Sequence, residues 1–533
     1  MTALEIQGRI VPLDRQAPDA HFLGRVRFVR QDEQAGSEHA DAAPWRVERV
    51  RHHRSRPAAG VRQIDVGDSW VYPALSDLHS HIAFATLPIW DEPTRTKGPW
   101  LHRDQWPRAP SYKPRVSWPA YAYLKGAPEA LLAYAQVRAL AGGASSIQGW
   151  PPARGQPVNR LIRNVDDDID RDAIRTSVVN LDLAELEHRR SLLDQHKSLV
   201  YHLAEGQRHS KVAREFADVA MAGCLRFRLF AIHCCAVGRE SFRQWRQNAE
   251  LRGEPGPGGV IWSPLSNLWL YGQTTDVMAA RAEGVTVCLG TDWGPSGSRN
   301  LLGELKVAAR WVQHAGLPLE AFDLIEMVTS NPGDLLTRAW GVGPGRFEAG
   351  RLADAVVVTR RHADPWKNLL LAREQDIELV VVGGEAVYGK RALMRAAGQR
   401  LTTAVRIGRQ SRHVPLRRPD APDQRWTWRA VLRALKQVQA DPVAAIERGL
   451  AAETDWFARA EPTALAPLIL ESDMPGGPAS VAGPPPPGTE FSAPPLPNIV
   501  HDRAWHRRLR RGGWHDHVLD DLEALFADEA DWP

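Results

Sequence analysis

Apolar residues along this chain fall into two kinds of run. In the flanks they come as short β-like stretches, ALEIQGRIV, FLGRVRFV, WRVERVR and VRQIDV, with charged and turn-rich pieces between them. A matching block, GRLADAVVVTR and IELVVVGGEAVYG, appears much later. The two blocks predict one small β-sandwich domain built from residues 1–70 and 342–395. Between them, over residues 71–341, continuous apolar runs of strand length recur: SSIQGW, SLVYHLAE, FRLFAIHCC, GGVIWSPLS and GVTVCLGTD. Segments of helix length, such as APEALLAYAQVRALAGG and TTDVMAARAEG, separate several of them. Strand–helix alternation with fully apolar strands predicts a parallel sheet covered on both faces.

The strand ends carrying His202, His233, Ser263 and Asp292 recur about thirty residues apart, the pitch of a βα unit. The expected class is therefore α/β, as a TIM-like (β/α)8 barrel. An open doubly wound sheet is the alternative, but no G-x-G-x-x-G follows a strand. The stretch PIWDEPTRTKGPWLHRDQWPRAPSYKPRVSWPAY, rich in Pro, Trp and charge, predicts a long loop over the barrel mouth. Residues 396–533 form a C-terminal extension. QRWTWRAVLRALKQVQ and PVAAIERGLAAETDWFARA predict helices, then comes a Pro-rich run, then a tail that passes from basic to acidic.

Composition narrows the partners. The chain has 533 residues, 43% hydrophobic and 24% charged, as expected of a large catalytic domain with smaller attachments. Lys and Arg total 67 against 63 acidic residues, a net +4, which gives no case for nucleic-acid or membrane binding. Four cysteines without a C-x-x-C pair, no signal-peptide pattern at the start and no apolar run of roughly 18 residues together suggest a cytoplasmic protein.

The candidate chemistry begins in YPALSDLHSHIAF. His79 and His81 lie two apart at a strand end, so both imidazoles point to one side. Taken alone, an H-x-H is more often structural than metal-binding. His202, His233 and Asp292 each end a further apolar run, where barrel enzymes place their reacting groups. Five such residues in the order H-x-H, H, H, D point to a shared metal ion. The tail sequence His515-Asp516-His517 has no strand or partner ligand beside it and is expected to be a solvated turn.

On these residues the chain resembles the amidohydrolase superfamily, in the branch of cytosine-, guanine- and adenosine-type deaminases, triazine hydrolases and imidazolonepropionase. The resemblance covers roughly residues 1–395 and includes SNPGDLLTRAWGVGPGRFEAGRLADAVVV, similar to that family's return into the β unit. It implies that His79, His81, His202 and Asp292 bind one divalent metal, with Zn2+ favoured and Fe2+ compatible. His233 would sit beside the metal-bound water or the substrate, and Glu205, in H-x-x-E spacing after His202, would be the general acid/base. Binuclear relatives carry a bridging lysine on the fourth strand. The run taken as that strand is GGASSIQGW, which has none, so a mononuclear site is expected. The usual Pro-Gly before the H-x-H strand is Pro73-Ala74 here.

The implied catalytic residues are thus Glu205, His233 and Asp292, acting on a non-peptide C–N bond through attack of metal-bound hydroxide. Gln148, Trp150, Ser263, Asn267 and Trp293 are weaker pocket candidates by position, and Trp90, Trp100, Trp106 and Trp118 could form a lid. Packing of that lid on the barrel is an equal alternative to stacking on substrate. The expected partner is a small, cyclic nitrogenous substrate, with a homodimer compatible. Competing classes are a non-catalytic interaction protein on the same fold, or a metal-dependent lactonase or phosphoesterase. The second pair commonly needs a bridged two-metal site.

Overall fold

The computed structural model describes residues 3–30, 45–52, 60–94, 98–167, 169, 173–177, 181–458, 468–471, 483–492, 503–513, 515, 517–520 and 522–526. Of the Pro-rich run from Met474 to Pro497, the described part is 483–492; Asp516 and the acidic end of the tail lie outside the described residues.

The N-terminal flank supplies β1 (Ala3–Ile10), β2 (Phe22–Arg30), β3 (Trp45–His52) and β4 (Arg62–Pro73). After a single residue, Ala74, the chain enters β5 (Leu75–Asp77), the first strand of the central region. Two helices follow, α1 (Trp118–Gly126) and α2 (Pro128–Ala141), before β6 (Ala144–Ile147). A short strand β7 (Ala153–Arg154), then β8 (Arg163–Asn164) and β9 (Ile174–Ser177), complete the first half. Regular alternation then takes over: α3 (Leu183–Asp194), β10 (Ser198–Leu203), α4 (Glu215–Met221), β11 (Leu229–His233), α5 (Arg239–Leu251), β12 (Gly259–Trp262), α6 (Pro264–Tyr271), α7 (Val277–Ala282), β13 (Thr286–Leu289) and α8 (Leu301–His314).

Strands β5, β6 and β8 form one parallel sheet and β9 to β13 another, in sequence order. Their buried positions run unbroken, six of six in β10 and five of five in β11, as expected when both faces are covered. The sheets meet through a parallel bridge between Ser80 and Asp292. Asp77 reinforces this seam by accepting from Thr291 N at 3.1 Å. The arrangement is of TIM-barrel type with mixed α/β content.

The flanks do combine. Strands β14 (Ala355–Val358), β15 (Ile377–Val382), β16 (Glu385–Gly389), β17 (Thr403–Ile407) and β18 (Gln410–Val414) join the first four in one nine-stranded sheet, ordered β17-β18-β16-β15-β14-β4-β1-β2-β3. The sheet curls back on itself. Edge strand β3 reaches the turn before β14, with Val47 N on Arg351 O at 2.8 Å and Gly350 N on Val47 O at 2.9 Å. It encloses its own apolar core, which includes Ile6, Val26, Ile64, Val357 and Val381. The sheet runs past residue 395, because β17 and β18 from the expected extension pair onto its edge.

Beyond it, helices Trp428–Ala440 and Pro442–Ala458 pack against α1 and α2, with the rings of Trp428 and Tyr134 nearly parallel at 5.9 Å. The strand Ile469–Leu470 pairs with β7. The Trp-rich stretch after β5 holds no strand among the described residues. It is pinned over the strand ends by Trp100 N on Leu270 O at 2.9 Å and Arg103 N on Glu205 O at 3.2 Å. No helix among the described residues is long and apolar enough to cross a membrane.

Candidate metal centre and acid/base site

Five strand ends converge. His79 and His81 follow β5, His202 lies on β10, His233 closes β11 and Asp292 follows β13. Ligand atoms of His79, His81 and His202 lie within 4.8 Å of one another, and so do those of His79, His233 and Asp292. Asp292 Oδ1 is 3.2 Å from His79 Nε2 and 3.7 Å from His81 Nε2. The backbone turns sharply where these side chains leave their strands. Ala204, His233, Cys234 and Asp292 all have left-handed φ, between 53° and 68°. Such residues cost about 1–3 kcal/mol each and persist where the surroundings over-determine them.

Burial and charge set the protonation states. Burial pushes the imidazoles of His79, His202 and His233 down, so they stay neutral and keep lone pairs for a cation. Burial alone would raise the Asp292 carboxyl, but the surrounding imidazoles outweigh it and hold it well below the usual range. Both ring nitrogens of His79 are buried and neither meets a well-formed hydrogen-bond partner among the described residues. A divalent ion would take up one of these nitrogens, and a His3Asp donor set suits Zn2+.

Glu205 lies beside this cluster, its Oε2 3.7 Å from His233 Nε2. Burial raises its carboxyl to about 7, against the opposing pull of Arg103. Tyr271 donates its hydroxyl proton to Glu205 Oε1 at 2.6 Å, and Trp106 Nε1 donates to the Tyr271 oxygen at 3.0 Å. Arg103 is buried and forks onto Glu215 with two contacts of 3.0 Å.

His233 has its own supports. Trp262 Nε1 donates to Thr274 Oγ1 at 2.6 Å, Thr274 donates to Asn267 Oδ1 at 3.2 Å, and Asn267 Nδ2 lies 2.9 Å from His233 Nδ1. This chain assigns the tautomer. Because the Asn267 carbonyl is already an acceptor, its amide donates to Nδ1, and the proton of neutral His233 sits on Nε2. That proton faces Glu205 and Asp292, which is 3.9 Å away.

Next to His81 and His202 opens a cavity of about 650 Å3, lined also by Gln148, Trp150, Asp166 and Thr176. Asp166 is a half-buried acceptor, taking Thr176 Oγ1 at 2.7 Å and Gly149 N at 3.2 Å. Gln148 and Trp150 thus line this cavity. Ser263, Asn267 and Trp293 do not line this cavity. Ser263 is fully buried at the head of α6, Asn267 backs His233, and Trp293 packs among Phe84, Trp106 and Tyr112. The lid tryptophans pack on one another and on the barrel; Trp90 and Trp100 lie nearly parallel at 6.5 Å.

Two sequence expectations need correction. Counted from β5, the fourth parallel strand is β9, and the run GGASSIQGW holds β6, the second. Strand β9 reads Ile174-Arg175-Thr176-Ser177, again without lysine. His515 is not in a solvated turn. It is buried, lies nearly parallel to Trp269 and binds Leu509 O through Nε2 at 2.8 Å. Sequence reasoning missed Tyr271, Arg103 and Asp166. Tyr271 had a signal, since it lies four residues after Asn267 on one helix and so shares its face.

Residues 201–387 match the model of the amidohydrolase family, a stretch that holds His202, Glu205, His233 and Asp292. Over that stretch the chain is similar to the amidohydrolase family. Its relatives include an S-triazine hydrolase of Gordonia rubripertincta, 30% identical over 200 residues, which are 36% of this chain and 39% of that protein. A 5'-deoxyadenosine deaminase of Methanothermobacter thermautotrophicus is 33% identical over 137 residues, 24% of this chain and 31% of that one. The match thus spans well under half the length of these relatives. The chain also shares its fold with solved structures. An adenosine deaminase from Xanthomonas campestris with bound zinc superposes with a TM-score of 0.53 at 16% identity, over 74% of this chain and 97% of that one. An atrazine chlorohydrolase from Arthrobacter aurescens TC1, complexed with zinc, gives 0.53 at 15% identity, over 72% and 95%.

Proposed function

We propose that this protein is a metal-dependent hydrolase that cleaves a non-peptide C–N bond in a small cyclic nitrogenous substrate, by deamination or by opening a cyclic amide. The carrying observation is that His79, His81 and His202 form one close group of ligand atoms and His79, His233 and Asp292 another, joined at His79, with a protonatable Glu205 beside His233. The first four would hold one divalent ion. When bound, such an ion supplies Lewis acidity and makes water a better nucleophile at neutral pH.

The chain's own groups do the rest. Asp292, ionised and central, accepts the proton that the attacking water loses. Glu205, raised to about 7 by burial, is protonated in a substantial share of molecules at neutral pH and can deliver that proton to the departing nitrogen, which leaves poorly as an anion. The His233 Nε2 proton steadies charge that builds on the attacked group. The neighbouring cavity has the size of a small-molecule site, and Gln148, Trp150 and Thr176 would meet a flat polar ring there.

Within this reading the centre is mononuclear, since β9 offers no bridging lysine. The parallel strands close into a complete (β/α)8 barrel flanked by a sandwich-like unit, and the protein works in the cytoplasm, where its four unpaired cysteines would stay reduced. The relatives' names, an S-triazine hydrolase and a 5'-deoxyadenosine deaminase, fit a nitrogen heterocycle as substrate.

The test is mass spectrometry of products from metal-loaded enzyme incubated with amino-heterocycles and cyclic amides, with Glu205→Gln as control. Exchange of an amino group for oxygen with release of ammonia marks a deaminase. A gain of one water with the ring opened marks a cyclic amidohydrolase. Equal silence of wild type and control across the panel, from protein that carries its metal, contradicts the reading.

A further inference from the structure

We infer that the tail segment Trp505–Phe526 is a positioning clamp for the active site, acting through α6. This helix carries both side chains that orient the acid/base pair: Asn267 on His233 and Tyr271 on Glu205. It has eight residues, far too few to be stable alone, so its position is set by what packs around it.

On one side α6 is tied down by polar contacts to the barrel and to the lid. Buried Glu304 of α8 accepts from Leu265 N at 2.9 Å, and Trp269 Nε1 donates to Trp90 O at 2.8 Å. On the other side the cover is the tail. Gly512 and Gly513 lie flat against the Trp269 indole, and a Cβ on Gly513 would overlap that ring. Gly513 also has φ +74°, which glycine adopts without strain. His515 lies over the same indole, its ring 6.4 Å away and within 16° of parallel. The result is a tryptophan with 2% of its surface exposed, two residues from Asn267 and two from Tyr271 on the same short helix.

The tail can bear this load because it is itself anchored. Trp505, Leu509, Leu519, Leu522 and Leu525 are buried. His515 Nε2 is fixed on Leu509 O, and Arg510 pairs with Glu523 at 2.7 Å. The extension is therefore part of the frame that keeps Tyr271 on Glu205 and Asn267 on His233. None of its residues touches the reacting atoms, so they act by position.

The test uses hydrogen exchange on the full-length protein, which needs no substrate. In Gly513→Val and His515→Ala, amide exchange across residues 264–271 should speed up by about tenfold while β12 and β13 stay as in wild type. His515→Phe, which keeps a ring on Trp269, should restore the wild-type rate. A chain lacking residues 503–533 removes the clamp outright and should match the point variants. If α6 exchanges at the wild-type rate when tail peptides 505–526 have been released or removed, the inference is wrong.

The kinetic arm rests on the hydrolase reading. There kcat should fall about tenfold with KM nearly unchanged, as for loss of a group that orients a catalytic residue. A fall in KM-dependent binding alone would contradict it. Faster α6 exchange in a protein whose wild type turns over nothing would sink the hydrolase reading and leave the clamp standing.

Discussion

The histidine–aspartate cluster and helix α6 hold side chains in place by different means. His202 and His233 sit in strands β10 and β11, whose ladder pairs His202 with Ile232 and Leu203 with His233. Asp292 is bridged to Ser80, between His79 and His81. Each ligand's backbone is therefore fixed by hydrogen bonds to its neighbours, and the metal would add a further tie. Asn267 and Tyr271 ride on one short helix with no ladder, held by a lid residue from one side and the distant tail from the other. The difference teaches that the chemical groups are built into the fold, whereas their orientation depends on segments far away in sequence.

Substitutions should separate the two regions by size of effect. The largest belongs to the cluster. Asp292→Asn should abolish metal retention and lower kcat/KM by ~10^3-fold or more, since the ion's contribution is several kcal/mol; metal analysis beside kinetics checks both. Glu205→Gln should keep the metal and lose ~10^2 to 10^4-fold in kcat. In wild type, kcat should fall as pH rises through about 7, because the proton that Glu205 must deliver is lost there. A pH–rate profile with no alkaline limb in that region would remove Glu205 from the acid role.

Orientation effects come next. Asn267→Ala and Tyr271→Phe should each cost about 10- to 100-fold in kcat, with the metal retained. A loss as large as that of Glu205→Gln would mean that α6 supplies chemistry and not only position.

The smallest effect concerns stability. Glu304 is buried and its carboxyl is raised to about 8. A group raised in the folded state stabilises fully below its unfolded value of 4.5, and that contribution is lost as pH climbs through 8. Glu304→Gln should therefore melt relatively higher as pH rises, gaining a few degrees on wild type between pH 5 and 8. Parallel melting curves across that range would show that α6 is not held by a protonated Glu304.

The same contrast explains what sequence made legible. His79 and His81 show themselves as an i, i+2 pair, and His202, His233 and Asp292 end apolar runs, so strand-end chemistry is visible in one dimension. Strands β8 and β9 were not, because Arg163–Asn164 and Ile174–Ser177 are two and four residues long and partly polar. Passing over them made β6 look like the fourth strand. Strand β17 could have been read, since TAVRI alternates buried and exposed at every residue; its short length and polar neighbours hid it. Asn267 was found because it follows β12 closely, but its role behind His233 depends on Thr274 and Trp262, which only packing brings together. His515 had no local signal at all, because its partner Trp269 lies 246 residues earlier.

Metal stoichiometry is the most direct test of the central claim. Elemental analysis of purified full-length protein, beside a His79→Ala/Asp292→Asn double variant, counts the ions that the cluster holds. The account predicts about one zinc or iron per wild-type chain and essentially none in the variant. Two ions per wild-type chain, or one ion that survives the double substitution, would contradict it.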